Sequence, residues 1–290
     1  MAETITIQDK IAAEYDGLSA KLQVAADYVV ANPVDVATRS LRSISGSTGL
    51  APATFSRLAR ALGFDNYEEL REMSRHAVGR QFISFSNKAE RLQNEDANRS
   101  APPFLNRQAQ ACIGNIEALM QSIDLARLEQ VVEHLHRART VTLCGAFGVT
   151  GIVEYMAYMG NYFAPNWFIA GRMGASLSSS MTHLTSRDTL LVLTTAPFAR
   201  QSILAAEMAR ERGASVIVLT DNHACPALKH ATIGLIHSTD SPQFFSSYVA
   251  TLVLVETIIG MLVKRAGPAA QQRIQDVEAK NHRLGEFWTE

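Results

Sequence analysis

Cysteine is scarce in this chain: Cys112, Cys144 and Cys225 are the three among 290 residues. The count is odd, the spacings are wide and no C-x-x-C occurs, which argues against a disulfide framework and against a zinc site. Net charge is lacking too. The 27 Lys and Arg nearly balance the 28 Asp and Glu, leaving −1. That argues against a protein that coats nucleic acid through bulk charge, but it leaves room for a basic patch on one face. Long hydrophobic runs are missing. The longest, Val249 to Val263, is broken by Glu256 and falls short of the ~20 residues that span a bilayer. The first residues, MAETITIQDKIAAEY, are polar and carry acids, unlike a secretory signal. The chain is therefore expected in the cytoplasm, away from membranes. Internal repeats and low-complexity tracts are absent. What is there is 47% hydrophobic and 19% charged residues over a length that suits two domains.

The pattern changes along the chain. Over residues 1–85 apolar residues recur at three- and four-residue steps: Leu18, Leu22, Ala25, Ala26 and Val29, then Leu41 and Ile44, then Phe55, Leu58 and Leu62. That spacing predicts helices throughout, with a break at Asn32-Pro33. Residues 86–106 are polar, end in Pro102-Pro103 and read as a linker. From 107 onward the reading alternates. Residues 107–136 are one long helix or a helix pair. VTLCG (141–145), TLLVLTT (189–195), ASVIVLTD (214–221) and TIGLIH (232–237) are short buried strands. Helices are expected at 149–163, 201–213, 245–265 and 269–285. Apolar strands alternating with helices predict a parallel sheet covered on both faces. The fold class is therefore multidomain: an all-α domain over 1–85, then an α/β domain over 107–290 whose parallel sheet is flanked by helices.

The most informative stretch is SLRSISGSTGLAPATFSRLARALGF, residues 40–64. A helix over about 40–47 is followed by Gly49, where a sharp turn needs positive φ. Pro52 suits the first turn of a second helix, because its missing N–H has no partner to lose there. Leu41, Ile44, Leu50, Phe55 and Leu58 are spaced to pack the two helices together. Ala53, Thr54, Ser56, Arg57 and Arg60 are left for the outward side, small enough at the start to approach base edges, with arginines for phosphates or guanines. Arg42 and Thr48 extend this surface onto the first helix and the turn. Residues 36–64 hold four arginines, Arg39, Arg42, Arg57 and Arg60, and no acid. A solvated arginine face on an ordinary helical hairpin is the plainer alternative; the Gly turn, the Pro start and the charge window together favour DNA. Ala51 departs from the pattern, since Ser or Thr would cap the second helix better.

This segment, above all STGLAPATFSRLARALGFDNYEEL, resembles the DNA-binding domain of the RpiR/MurR-type regulators, with Thr54, Arg57, Leu62-Gly63-Phe64, Tyr67 and Glu69-Leu70 carrying the match. That family pairs such a domain with a C-terminal sugar-isomerase (SIS) domain, and the α/β half here fits in length and order. The resemblance implies homo-oligomers, dimers or tetramers, that bind double-stranded palindromic operators under the control of a small effector, a phosphorylated sugar in most members.

A parallel sheet binds ligands at the carboxyl ends of its strands. CGAFGVTG (144–151) is one such end. Gly145 and Gly148 allow backbone N–H groups to approach an anion at a helix start, with Phe147 between them. Its G-x-x-G-x-x-G spacing makes a dinucleotide site a poor fit. In SIS domains this loop resembles G-x-G-x-S, which places Thr150 at the Ser. The second end is TTAPFARQS (194–202). Where SIS domains read S-x-S-G-x-T, this chain has Thr194 and Ala196 at the two serines, Pro197 at the glycine and Ala199 at the threonine. Two hydroxyls and one N–H are lost. Thr194, Thr195, Ala196, Phe198 as an apolar wall and Arg200 as a charge complete the expected effector site. The expectation is a ligand less phosphorylated or more apolar than a sugar phosphate.

No cofactor and no metal are expected, since His134 and His136 diverge on a helix and His223, Cys225 and His230 lack a zinc spacing. Catalytic residues are not expected either. Glu154, His183, His237 and Asp240 are the available acids and bases, and none sits in a motif. Two alternatives stay open: a sugar-phosphate isomerase with an added helical domain, and an α/β half that serves only to dimerise.

Overall fold

In the computed structural model, which describes residues 7–83, 85–94, 102–172, 174–223 and 225–288, the chain divides into two units, Met1–Ser84 and Phe85–Glu290. The first unit is helical: α1 (Ile7–Glu14), α2 (Ala20–Ala31), α3 (Pro33–Thr38), α4 (Leu41–Thr48), α5 (Pro52–Ala61) and α6 (Tyr67–Ile83). Its core is the expected apolar set. Leu18, Ala25, Ala26, Val29, Ile44, Phe55, Leu58 and Leu62 are buried, with Leu22 and Leu41 half-buried against them. Phe55 sits at the centre, edge-on to Tyr28 at 6.3 Å and to Tyr67 at 6.1 Å. Burying such a ring contributes roughly 1.5–3 kcal/mol. Arg75 ties α6 to α3 by donating from Nε to the Ala37 carbonyl at 2.8 Å.

The turn between α4 and α5 forms as its residues dictate. Ser40 caps α4 by accepting the Ser43 N–H, and α4 ends on Gly49 at φ +70, a left-handed conformation that favours glycine. Pro52 opens α5, and Ala51 gives it no side-chain cap.

The second unit begins at Phe85, two residues beyond the end of α6. Residues 86–106, read from sequence as a linker, are not all irregular: α7 (Phe85–Asn94) is a helix of this unit. Phe85, Lys88, Ala89 and Leu92 are half-buried along one face, its other residues face solvent, and none is fully buried. Its polar composition hid that stripe. Then come α8 (Phe104–Ser122), α9 (Leu125–Arg137), β1 (Val141–Gly145), α10 (Thr150–Phe163), β2 (Trp167–Ile169), α11 (Leu177–Thr182), β3 (Thr189–Leu193), α12 (Arg200–Glu211), β4 (Ser215–Thr220), β5 (Ile233–Ile236), α13 (Val249–Ala266) and α14 (Pro268–Leu284). The five strands form one parallel sheet in the order β2-β1-β3-β4-β5. The four expected strands are present. The fifth, β2, has three residues, too few to show a period; Trp167 anchors it against Phe163 and under Gly160, where a Cβ would lie 2.5 Å from the indole.

Strand side chains alternate between the two faces. Leu143, Leu191, Leu193, Ile217 and Leu219 pack with α9, α10 and α13, whereas Cys144, Leu190, Val192, Val216 and Val218 pack with α11 and α12. Before β3, the buried Asp188 carboxylate is held by Arg139 (2.7 and 3.0 Å) and by the Thr185 N–H and hydroxyl (2.8 and 2.7 Å). Burial pushes its pKa up, but these donors outweigh burial and hold it below the usual carboxylate value.

Candidate DNA-reading helix and effector cleft

On α5 the side chains of Phe55, Leu58 and Ala59 face the core. Ala53, Arg57 and Arg60 are exposed, as is Arg42 on α4. Among the described residues none of these three arginines has a hydrogen-bond or ion-pair partner, whereas Arg39 is engaged by Asp35 at 2.7 Å and by Ser43. The cationic face is therefore uncommitted. Two expected contacts need correction. Thr54 is 3% exposed, because it lies one turn before Leu58 and shares that helix's inward face. Thr48 is half-buried and braces the turn, donating to the Ile44 carbonyl at 2.9 Å and accepting the Leu50 N–H at 3.3 Å. Ser56 is half-buried, its hydroxyl 3.4 Å from the Pro52 carbonyl.

In the second unit a cavity of about 320 Å³ opens at the carboxyl ends of β1 and β3. It gathers Phe147, Gly148, Thr194, Thr195 and Ala196 of the expected site, together with Pro197 and Ala199. Three aromatic residues that the sequence reading did not place there complete it: Phe85 of α7, and Phe245 and Tyr248 from the segment before α13. Phe85 stacks on Phe245 at 4.8 Å with rings 17° apart, and Tyr248 lies edge-on to Phe245. Gly148 faces this wall so closely that a Cβ would lie 2.7 Å from both the Phe245 ring and the Tyr248 hydroxyl. The signal in the sequence was the aromatic cluster FFSSY after the last strand, where the chain returns to the carboxyl edge.

A second cavity of about 380 Å³ adjoins the first through Ala146 and Phe147. Gly145, Thr150, Arg172, Ser176 and Gln201 line it. Two expected residues line neither cavity. Phe198 packs into the core with α11 and α12, and Arg200, the first residue of α12, is exposed. A larger cavity, about 670 Å³, runs along the β2 edge among Asn161, Phe168 and His183 and meets the second cavity at Arg172 and Ala175.

Asp221, at the end of β4, went unnoticed in the sequence and dominates the electrostatics of the β3 loop. Its carboxylate accepts the Ala196 N–H at 3.1 Å and the Thr239 hydroxyl at 3.0 Å. Burial raises its pKa above the ordinary value; those two donors and the Lys88 charge on α7 oppose the rise. Tyr248 is likewise pushed up by burial while hydrogen-bonded to Thr195. The possible acids and bases do not converge. Glu154 pairs with Arg172, Asp240 is exposed, and His237 is buried against Thr251 with its pKa lowered to about 4 by burial. No cluster of metal-ligating side chains occurs among the described residues.

These two units define the class: a helix-turn-helix module followed by a SIS domain with a cleft at the carboxyl edge of its parallel sheet. Residues 134–261 match the SIS domain family. Over nearly its whole length the chain is similar to an uncharacterized HTH-type transcriptional regulator of Haemophilus influenzae, 23% identical over 284 residues (95% of this chain, 96% of that protein). A second such regulator, from Caldanaerobacter subterraneus, is 21% identical over 278 residues (96% and 94%). Among solved structures, Vibrio vulnificus NanR, determined in complex with ManNAc-6P, aligns with a TM-score of 0.62 at 19% identity, covering 96% of this chain and 99% of that one. The sugar isomerase domain of an RpiR transcription factor from Sphaerobacter thermophilus aligns at 0.58 and 18% identity, covering 61% of this chain and 99% of that one. The chain thus carries a C-terminal SIS domain and is similar over nearly its whole length to HTH-type transcriptional regulators. No helix among its described residues is long and apolar enough to cross a membrane.

Proposed function

We propose that this protein represses transcription in the cytoplasm by binding a double-stranded operator as a homo-oligomer built on dimers, and that a small carbohydrate-derived or related metabolite in the cleft controls it without being turned over. The observation that carries the reading is α5. Its apolar stripe locks it into the core, and Ala53, Arg57 and Arg60 stand exposed without partners. A dimer brings two such helices to half-sites about one helical turn, roughly 34 Å, apart.

The absence of turnover rests on the cleft's lining. Among the described residues around the aromatic cavity, Tyr248 is the one titratable side chain, and burial holds it protonated. Aldose–ketose isomerisation needs a positioned base. Control by the effector rests on Phe85. It lines the cavity and stands two residues beyond the end of α6 of the DNA-reading unit. A ligand filling the cavity must therefore meet the segment that leads to that unit, and it shifts the DNA-binding equilibrium if it favours one placement of Phe85.

The test is genomic selection of bound DNA with the full-length protein, then metabolite screening for release from the selected sites. A single palindromic motif, released by a small metabolite, is the expected result. Sequence-independent binding, or turnover of a hexose or pentose phosphate, would refute the reading. Phe85→Ala is expected to weaken release while leaving operator affinity intact.

A further inference from the structure

The β3 loop and the cavity beyond Phe147 differ in what they can hold. In the loop, the N–H of Ala196 is taken by the Asp221 carboxylate, the N–H of Thr194 is taken by the Leu219 carbonyl at 3.1 Å, and Pro197 has none. A negative charge already occupies the position from which an anion would be gripped. Beyond Phe147 the groups are of the opposite kind: the Arg172 guanidinium, the Thr150 and Ser176 hydroxyls and the Gln201 amide. Among the described residues Arg172 is held by a single contact, Nε to Glu154 at 3.4 Å, with the two side chains 41% and 52% exposed. An ion pair that exposed contributes little, because water screens it, so an incoming anion can take over the guanidinium. Between the two cavities stands Phe147, 71% exposed and at φ +56, a strained conformation for a residue with a side chain.

We propose that the cleft takes an organic anion with an apolar body, its charge held by Arg172 with Thr150, Ser176 and Gln201, and its body laid against Phe245, Tyr248 and Phe85. The inference rests on the effector-cleft reading above. Anion recognition has moved from the β3 loop to the loop after β2, and the phosphate loop is closed from within by Asp221. Of the charged side chains nearby, Arg172 alone lines one of the two cavities among the described residues; Glu154 pairs with it, and Asp221, with the Lys88 charge near it, stands behind the Ala196 N–H.

Four probes with the full-length protein decide it by calorimetry and thermal shift: 3-phenylpropionate, phenyl phosphate, neutral 3-phenylpropanamide and glucose 6-phosphate. The two apolar anions bind and glucose 6-phosphate does not. Arg172→Gln lowers affinity for the anions by at least about tenfold, the loss expected for a charge-assisted hydrogen bond, and changes affinity for the amide by less than about threefold. Arg172→Lys recovers part of the loss. Arg172 is exposed, so an unchanged melting temperature of the free variant shows that it folds. The proposal is overturned if glucose 6-phosphate binds more tightly than the apolar anions, if Arg172→Gln leaves anion affinity unchanged, or if none of the four binds at millimolar concentration. Anisotropy on duplex DNA with the same preparations separates the two levels. Retained DNA binding with failed probes removes the ligand class and leaves the regulator standing; lost DNA binding removes the regulator itself.

Discussion

Arg42, Arg57 and Arg60 are exposed and unpartnered among the described residues, which makes the salt dependence of DNA binding calculable. In the dimer proposed above, three arginines per protomer would give six phosphate contacts. Each releases counterions, so log K falls against log salt with a slope near −5, about −0.9 per contact. Affinity then drops about 10³-fold between 50 and 200 mM monovalent salt. Arg60→Gln removes two contacts per dimer and reduces the slope's magnitude by about 1.8. Arg39→Gln is the control: its guanidinium is already committed to Asp35 and Ser43, so the slope moves by less than about 0.5. Fluorescence anisotropy of a labelled duplex across the salt series measures both, and no operator sequence is needed because the term is independent of sequence. Neither variant touches the core, so melting temperatures should match the parent. An Arg60→Gln slope equal to the parent's, or an Arg39→Gln loss as large as that of Arg60→Gln, refutes the assignment of this face to DNA.

Other outcomes concern the second unit. Gly145→Ala puts a methyl 2.5 Å from Val153 Cγ2 and destabilises by about 1–3 kcal/mol in urea unfolding, whereas Gly151→Ala, with nothing within 4 Å, is neutral or stabilising. Arg139→Ala strands the buried Asp188 with Thr185 as its remaining donor and lowers stability to urea at pH 7. Because the Asp188 pKa is depressed in the folded state, that stabilisation is present above the ordinary carboxylate pKa and vanishes as pH falls through the folded value, so parent and variant converge in acid. His237 behaves in a related way. Its folded pKa of about 4 lies below the ordinary 6.5, so stability is full above pH 6.5 and falls between 6.5 and 4 by about 3 kcal/mol, as the unfolded chain takes up a proton the buried ring refuses. Thermal melts across that window should show the fall, and His237→Gln should flatten it.

Local pattern carried much of the fold. The helix-turn-helix was legible because its determinants lie within 25 residues of one another: a left-handed Gly49, Pro52 at a helix start, and apolar residues at helical spacing. Four strands were legible because continuous apolar runs between helices bury on both faces. Where the period was too short or the composition misleading, reading failed. Three residues of β2 cannot show alternation, and α7 presents a polar composition whose stripe of Phe85, Lys88, Ala89 and Leu92 gains meaning only against the surface it covers. Thr54 was misplaced because sequence gives its helix phase but not how far the core reaches around that helix.

The sequence by itself determined the class of protein, since secondary structure, turn chemistry and a local charge window are properties of neighbours along the chain. The tertiary structure alone decided the character of the cleft. Phe85 meets Phe245 across 160 positions, and Asp221 reaches the Ala196 N–H from another strand. Such contacts are fixed by how strands order in the sheet, and no periodicity in one segment encodes which distant side chain will arrive opposite it.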